Sequence, residues 1–254
     1  MPKTNPTQRG NKDWYKTFFK TFGILQPIFY TSEQTKKQAD FIFEILNLKR
    51  GSKVLDVPCG NGRIAFELAK KGCVVTGIDF NENMIGEAKQ VSKKRKLKIN
   101  FHICDMRKIP WKNKFDSVIC WWGSFGYFDD KGNKDFIKDV STSLKKKGEF
   151  IIDTHIMETL LPKYQPMGWV KFGNYKVLEE RRFDFVNGRI DVDWTFIKDG
   201  KEIIQTSSIQ MYTYKELTSL LEKYGFGNFR AFGSLNKNDS TLLGKRLYLV
   251  SEKV

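Results

Sequence analysis

Three carboxylates, Asp56, Asp79 and Asp105, each stand at the end of a short apolar run, and two glycines, Gly60 and Gly62, follow the first of them. Val54-Leu55-Asp56-Val57-Pro58-Cys59-Gly60-Asn61-Gly62-Arg63 reads as a buried strand whose glycine turn opens a helix. Val74-Val75-Thr76-Gly77-Ile78-Asp79 reads as a second strand ending in a carboxylate. Glycine lets the backbone turn tightly and approach a ligand with no Cβ in the way. A helix starting near Gly62 aims its free N–H groups into that turn. Asp79 stands where a ribose diol can be held by two charge-assisted hydrogen bonds.

Two cofactors compete for this pattern. Gly60-Asn61-Gly62-Arg63-Ile64-Ala65 satisfies the loose G-x-G-x-x-A dinucleotide fingerprint. Asp56 argues against it, because a carboxylate just before the turn repels a pyrophosphate and attracts an amino-acid ammonium. Asp105, in Phe101-His102-Ile103-Cys104-Asp105-Met106, could accept from an adenine amino group. An ammonium, a ribose and an adenine are the three groups these carboxylates suit, and S-adenosylmethionine carries all three. No cluster of His, Cys, Asp and Glu has metal-ligand spacing, so no metal is expected.

Beyond the carboxylates, Trp121-Trp122-Gly123-Ser124-Phe125-Gly126-Tyr127-Phe128 is an aromatic, glycine-rich stretch expected to wall an acceptor pocket. Tyr127 would orient the acceptor or relay a proton; a tyrosine titrates near pH ~10, which suits hydrogen bonding better than base catalysis. His155, just past the fifth strand, is the other candidate base at the rim. His102 more readily has its hydrogen bonds satisfied within its strand.

Elements that could position these groups follow from the periodicity. The 254 residues can bury one substantial core, and no apolar run approaches a bilayer span. The start, Met1-Pro2-Lys3-Thr4-Asn5, leads to no hydrophobic signal region. Cys59, Cys73, Cys104 and Cys120 read as reduced thiols beside apolar strands, so a cytoplasmic location is expected. Two helices are expected over 11–48. Strands at 53–57, 73–78, 98–103, 115–121 and 148–154 then alternate with helices at 62–71, 82–95 and 130–144, which implies a doubly wound, mostly parallel sheet. Its ligand crevice should lie at the carboxyl ends of the strands, beside the first and fourth.

Residues 168–212 have a different texture. Val186-Asn187-Gly188-Arg189 and Lys198-Asp199-Gly200-Lys201 are hairpin signals within an antiparallel insertion. A two-residue turn at the first would set Phe185 opposite Ile190 and Phe183 opposite Val192. A helix at 214–223 and a strand pair at 228–233 and 246–251 complete the chain. The formal charge of +15 comes largely from Lys93-Lys94-Arg95-Lys96-Leu97-Lys98 and Lys145-Lys146-Lys147, both expected at helix ends just before strands. A nucleic-acid footprint is the alternative reading of those runs.

The glycine motif at 54–63, Asp79, Cys104-Asp105-Met106-Arg107 and the strand Phe115-Asp116-Ser117-Val118-Ile119-Cys120 resemble a class I S-adenosylmethionine-dependent methyltransferase. Trp14-Tyr15, Phe18-Phe19, Phe29-Tyr30-Thr31, Glu179-Glu180-Arg181-Arg182-Phe183 and Tyr212-Thr213-Tyr214-Lys215 resemble its bacterial and archaeal small-molecule subgroup. The resemblance implies a seven-stranded Rossmann-like sheet over 51–254, an N-terminal helical lid at 1–50, and an insertion that overhangs the methyl-transfer site. It implies that Asp56, Gly60 and Gly62 hold the methionine moiety and Asp79 the ribose. Phe80 would pack on the adenine, whose edge Asp105 and Met106 would fix. Pro58, Arg63, Trp121, Tyr15 and Tyr30 would complete the cofactor contacts.

The expected function is methyl transfer to a nitrogen or oxygen of a small molecule, with no membrane partner and the oligomeric state open. An RNA methyltransferase using the lysine runs and a non-catalytic S-adenosylmethionine-binding module are the rivals. No Asn/Asp-Pro-Pro-aromatic sequence follows the fourth strand, and Pro58-Cys59 sits in the cofactor turn; both facts weigh against a nucleic-acid acceptor, with ribose and other base methylations left open.

Overall fold

This computed structural model describes residues 13–20, 30–237 and 244–254. Expectations placed on Met1–Asn5 and Phe29, and on much of the 1–50 segment, lie outside them. Helix α1 covers residues 14–20 and α2 runs Ser32–Ile45. Thr31 caps α2 by accepting from the Gln34 N–H, while the Gln34 side chain returns a bond to the Thr31 N–H. Phe41, Ile42 and Ile45 recur on the inward stripe and are buried.

From there strand and helix alternate: β1 Lys53–Asp56, α3 Arg63–Lys70, β2 Val74–Asp79, α4 Glu82–Lys94, β3 Asn100–Ile103, β4 Phe115–Cys120, α5 Asp130–Ser143 and β5 Leu144–Thr154. A short helix, α6 (Met157–Leu160), leads into four antiparallel strands: β6 Met167–Phe172, β7 Tyr175–Asp184, β8 Arg189–Lys198 and β9 Lys201–Gln210. The chain returns through α7 (Tyr214–Glu222), β10 (Phe226–Phe232) and β11 (Leu247–Lys253).

The main sheet has seven strands in the order β10-β11-β5-β4-β1-β2-β3. Strands β1 to β5 pair in parallel, and β11 and β10 close one side antiparallel. The doubly wound α/β expectation is met. Hydrophobic clusters fill both faces, one around Phe115, Phe136 and Phe150, the other around Ile42, Ile64 and Phe101. Each fully buried phenylalanine contributes about 2–3 kcal/mol of transfer free energy. Strand order reverses between β1 and β4, so a crevice opens at their carboxyl ends.

Two local expectations are corrected. The first hairpin turn is four residues long, not two, and Phe183 faces Ile190 while Arg181 faces Val192. The cause is Asp184, whose carboxylate accepts from the N–H groups of Val186 and Asn187 and closes the wider turn. The shift of two residues keeps the buried face unchanged but leaves Phe185 81% exposed. The second turn has the expected two residues, with Asp199 and Gly200 both at positive φ. The other correction concerns Lys145–Lys147, which belong to the start of β5 rather than to a helix end, because Leu144 is already buried and paired with Phe115.

One glycine joins the small sheet to the loop after β4. Gly126 has φ +95, and its carbonyl accepts from the Gln210 N–H at 2.7 Å. A Cβ there would lie 2.4 Å from the Gln210 carbonyl oxygen. Gly126→Ala is expected to cost about 3 kcal/mol from strain and backbone displacement, read as a lower denaturation midpoint.

Candidate active site

The carboxyl ends of β1, β2 and β4, the segment after β3 and the helix α1 line a crevice that is open to solvent. Eleven of the expected site residues line it: Tyr15, Asp56, Pro58, Gly60, Arg63, Asp79, Phe80, Asp105, Met106, Trp121 and Tyr127. Gly62, Tyr30 and His155 do not line it.

Asp56 ends β1 with 2% of its surface exposed, and its Oδ2 has no hydrogen-bond partner. Burial pushes its carboxyl up to about 7, against the pull of Arg63. Asn61, in the turn, also carries a buried oxygen with no partner. Asp79 is engaged differently: Oδ2 accepts from the Gly60 N–H and Oδ1 from the Asn81 N–H, each at 2.9 Å. Asp79 therefore shapes the glycine turn while lining the crevice. Gly62 sits beneath the turn at φ +83, where a Cβ would meet the Phe101 ring at 2.7 Å. It caps α3 with no side-chain bond, and the Asp56 carboxylate takes the Ala65 N–H in the first turn of the helix.

Arg63 opens α3 with its guanidinium 4.1 Å above the Tyr30 ring, which places Tyr30 behind the wall. Its Nη1 donates to the Gln38 Oε1 at 2.5 Å, and the Trp121 Nε1 donates to the same oxygen at 3.2 Å. Gln38 thus orients two wall residues. Sequence reading missed it, since one amide on an amphipathic helix has no distinctive signature.

On the opposite side Arg107 forks onto Asp105, with Nε 3.0 Å from Oδ1 and Nη2 2.6 Å from Oδ2. Burial pushes the Asp105 carboxyl upward, but the Arg107 bonds outweigh it and hold the group below its ordinary range. The same guanidinium lies 4.3 Å from the Phe128 ring centre and donates to the Tyr15 hydroxyl at 3.3 Å. Tyr15 meets Phe80 and Phe128 edge-on, each at 5.3 Å. These contacts fasten α1 over the crevice.

Tyr127 donates its hydroxyl to the Ser124 Oγ at 3.4 Å, and burial raises its pKa well above the ordinary tyrosine value. It stays protonated at neutral pH and can donate or accept but not act as a base. Trp14 supports it from α1 by donating Nε1 to the Tyr127 carbonyl. His155 does not line the crevice, and its Nε2 lies 3.0 Å from the Arg246 Nη1. Burial and then Arg246 press its pKa down to about 4, so the ring is neutral. Asp153, 2% exposed, takes the Arg246 Nε on one oxygen at 2.5 Å and the Trp122 N–H on the other at 2.8 Å. Among the described residues no group of three His, Cys, Asp or Glu side chains could hold a metal ion. No described helix is long and apolar enough to cross a membrane.

Residues 48–223 match the family described as a methyltransferase domain. A ubiquinone biosynthesis O-methyltransferase of Coxiella burnetii is 37% identical over 81 residues, covering 32% of this chain and 34% of that protein. The chain spans less than half the length of the curated relatives it matches. Among solved structures, an S-adenosylmethionine-dependent methyltransferase from Clostridium acetobutylicum superimposes with a TM-score of 0.76 at 20% identity, covering 94% of this chain and 98% of that one. An amino pentose methyltransferase from Micromonospora echinaspora, solved with S-adenosylmethionine bound, gives a TM-score of 0.65 at 18% identity over 94% of this chain and 96% of that one.

Proposed function

Since the chain belongs to the methyltransferase-domain family, we propose that it transfers the methyl group of S-adenosylmethionine to a nitrogen or oxygen of a small molecule. The observation that carries this reading is the buried, unpartnered Asp56 oxygen at the head of the crevice, opposite an Asp79 already turned by the glycine loop. A buried acceptor with no donor calls for a cationic ligand group, and an amino-acid ammonium fits it. A dinucleotide pyrophosphate would meet repulsion there.

In this reading Asp56 and the Gly60 turn take the methionine ammonium, with Arg63 on its carboxylate. Asp79 holds the ribose diol, Phe80 packs on the adenine, and Asp105 and Met106 define the adenine edge. Pro58 and Trp121 fill the sides, while Tyr15 closes the top. When bound, the sulfonium supplies an already activated methyl carbon. The residues of this chain align the attacking atom and exclude water. The small-molecule acceptor is supported by the similar proteins, which include an O-methyltransferase and an amino pentose methyltransferase.

Calorimetric titration with S-adenosylmethionine, S-adenosylhomocysteine and NAD tests the cofactor assignment. Micromolar binding of the first two and none of NAD is expected; binding of NAD alone would restore the dinucleotide reading. Tyr127 orients the acceptor through its hydroxyl, and His155 acts at one remove through Arg246. Tyr127→Phe is accordingly expected to lower kcat by less than about tenfold, whereas loss of a general base costs about 10²–10⁴. A fall of the larger size, with a lost basic limb in the pH profile, would make Tyr127 the proton acceptor.

A further inference from the structure

The small antiparallel sheet, β6 to β9, carries apolar side chains on both faces. Its inner face packs into the protein through Val177, Val192 and Phe196, all buried. An antiparallel sheet with one packed face ordinarily turns polar side chains to water on the other. The outer face departs from that pattern. Trp169 of β6 stands opposite Leu178 of β7, Leu178 opposite Thr195 of β8, and Thr195 opposite Ile204 of β9. Residues paired across strands share a face, so these four form one row across the sheet. Trp169 is 70% exposed, Ile204 47% and Leu178 41%. Met167, two residues before Trp169 and so on the same face, is 71% exposed. A contiguous row of exposed apolar side chains marks an interaction surface.

Charge flanks this row with opposite sign on its two sides. On one side Lys171 pairs across the strands with Lys176; on the other Glu180 pairs with Asp193. Glu202 stands at the β9 edge of the basic side, and Arg182 neutralises Asp193. Lys176 and Glu180 are four residues apart along β7, about 13 Å, too far to meet within one copy. Arg181 and Arg182 pair with Glu179 and Asp193, and among the described residues neither Lys176 nor Glu180 forms an ion pair. A two-fold axis laid along the apolar row reverses the strand direction of a second copy placed face to face. That operation sets Lys176 over Glu180 of the partner subunit, and the reverse, on both sides of the axis.

We infer that the outer face of the small sheet docks on the same face of a second copy of this chain. Trp169, Leu178 and Ile204 meet their equivalents across the axis, and Lys176 meets Glu180 of the partner subunit. The face carries both halves of its own charge pattern, which is what an isologous contact requires, and such a contact closes at two copies. Its extent is sufficient. Strands β7, β8 and β9 each run ten residues. At about 3.3 Å per residue and about 4.8 Å between strands, the four-stranded face covers about 600 Å². A pair then buries about 1,200 Å², the lower bound for a specific, stable interface. The inner face of the same sheet meets α1, with the Trp194 and Phe18 ring centres 5.7 Å apart, so the crevice lies on the side away from the contact. The inference is independent of the chemistry assigned to that crevice.

The test is sedimentation equilibrium of the full chain over a micromolar dilution series at fixed ionic strength. A reversible dimer is expected. Trp169→Ser should weaken it about tenfold or more, because a large exposed aromatic at the axis is removed. Lys176→Glu and Glu180→Lys should each weaken it by a similar factor, since each sets like charges opposite one another at two symmetric places. The two reversals combined should restore the affinity to within about threefold of the unaltered protein. That rescue cannot arise inside one copy, where the two side chains do not meet. Val74→Thr removes apolar surface from a 46% exposed position at the start of β2 and should leave association unchanged. All these positions are exposed, and circular dichroism checks that each variant keeps the fold. A monomer at every concentration overturns the inference and leaves the face to a different protein. A dimer indifferent to Trp169→Ser, or single reversals that the double reversal does not rescue, overturns it equally.

Discussion

Asp79→Ala is expected to weaken S-adenosylmethionine binding by about 3 kcal/mol, roughly 150-fold, because two charge-assisted bonds to the ribose are lost together. The same change should destabilise the ligand-free protein by about 1–3 kcal/mol. Its oxygens accept from Gly60 and Asn81, and both N–H groups lose their acceptor in the variant. The turn that carries Gly60 would then relax away from the ligand. Calorimetry and thermal melting separate the two effects. A lower melting temperature with affinity held within about twofold would make Asp79 a purely structural clamp of the turn and remove it from the ribose.

The second large effect is a pH dependence centred on Asp56. Burial pushes its carboxyl up to about 7, well above the ordinary carboxylate range. A ligand ammonium beside it stabilises the charged form, so binding requires deprotonation and releases about one proton near pH 6. Affinity should rise about tenfold per unit up to pH ~7, then fall above pH ~8 as the ligand's own α-amino group loses its proton. Asp56→Asn should remove the acid limb and lower the maximal affinity about 100-fold or more. Stability of the ligand-free protein follows the opposite course. A carboxyl whose folded pKa is raised above its unfolded value contributes stability that is fully present below the unfolded pKa. That contribution is lost as pH rises through the folded pKa. The loss runs from pH ~4 to ~7 at about 1.4 kcal/mol per unit. Melting curves of the protein and of Asp56→Asn across that window should differ in slope by this amount. An S-adenosylmethionine affinity that stays flat between pH 6 and 8 would show that Asp56 does not meet the ammonium.

Much of the crevice was legible because its parts are local in the chain. Val54–Asp56 is buried, Gly60 turns with positive φ, and Asp79 ends the neighbouring strand, all within one strand–helix–strand unit. Short-range sterics at the glycines and continuous burial of both strands dictate that unit. The Asp199-Gly200 turn was legible for the same reason: two residues at positive φ are what a tight hairpin needs. The Asn187-Gly188 turn misled because Asp184, outside the dipeptide, competed for the backbone N–H groups and widened the loop.

By itself, then, the amino-acid sequence determined the alternation of strands and helices, the parallel sheet, the glycine turn and the carboxylates at the strand ends. Each follows from periodicity or from backbone freedom over fewer than about thirty residues. Only the tertiary structure decided which distant side chains complete the site. Gln38 reaches Arg63 and Trp121, Arg107 reaches Tyr15, and Arg246 reaches Asp153 from far along the chain. It also set His155 against Arg246, outside the crevice lining, and buried Tyr127 until it could no longer act as a base. The physical reason is that burial and long-range hydrogen bonds set which polar atoms are satisfied and which remain for a ligand. Both arise when separate elements pack, and no local pattern encodes them.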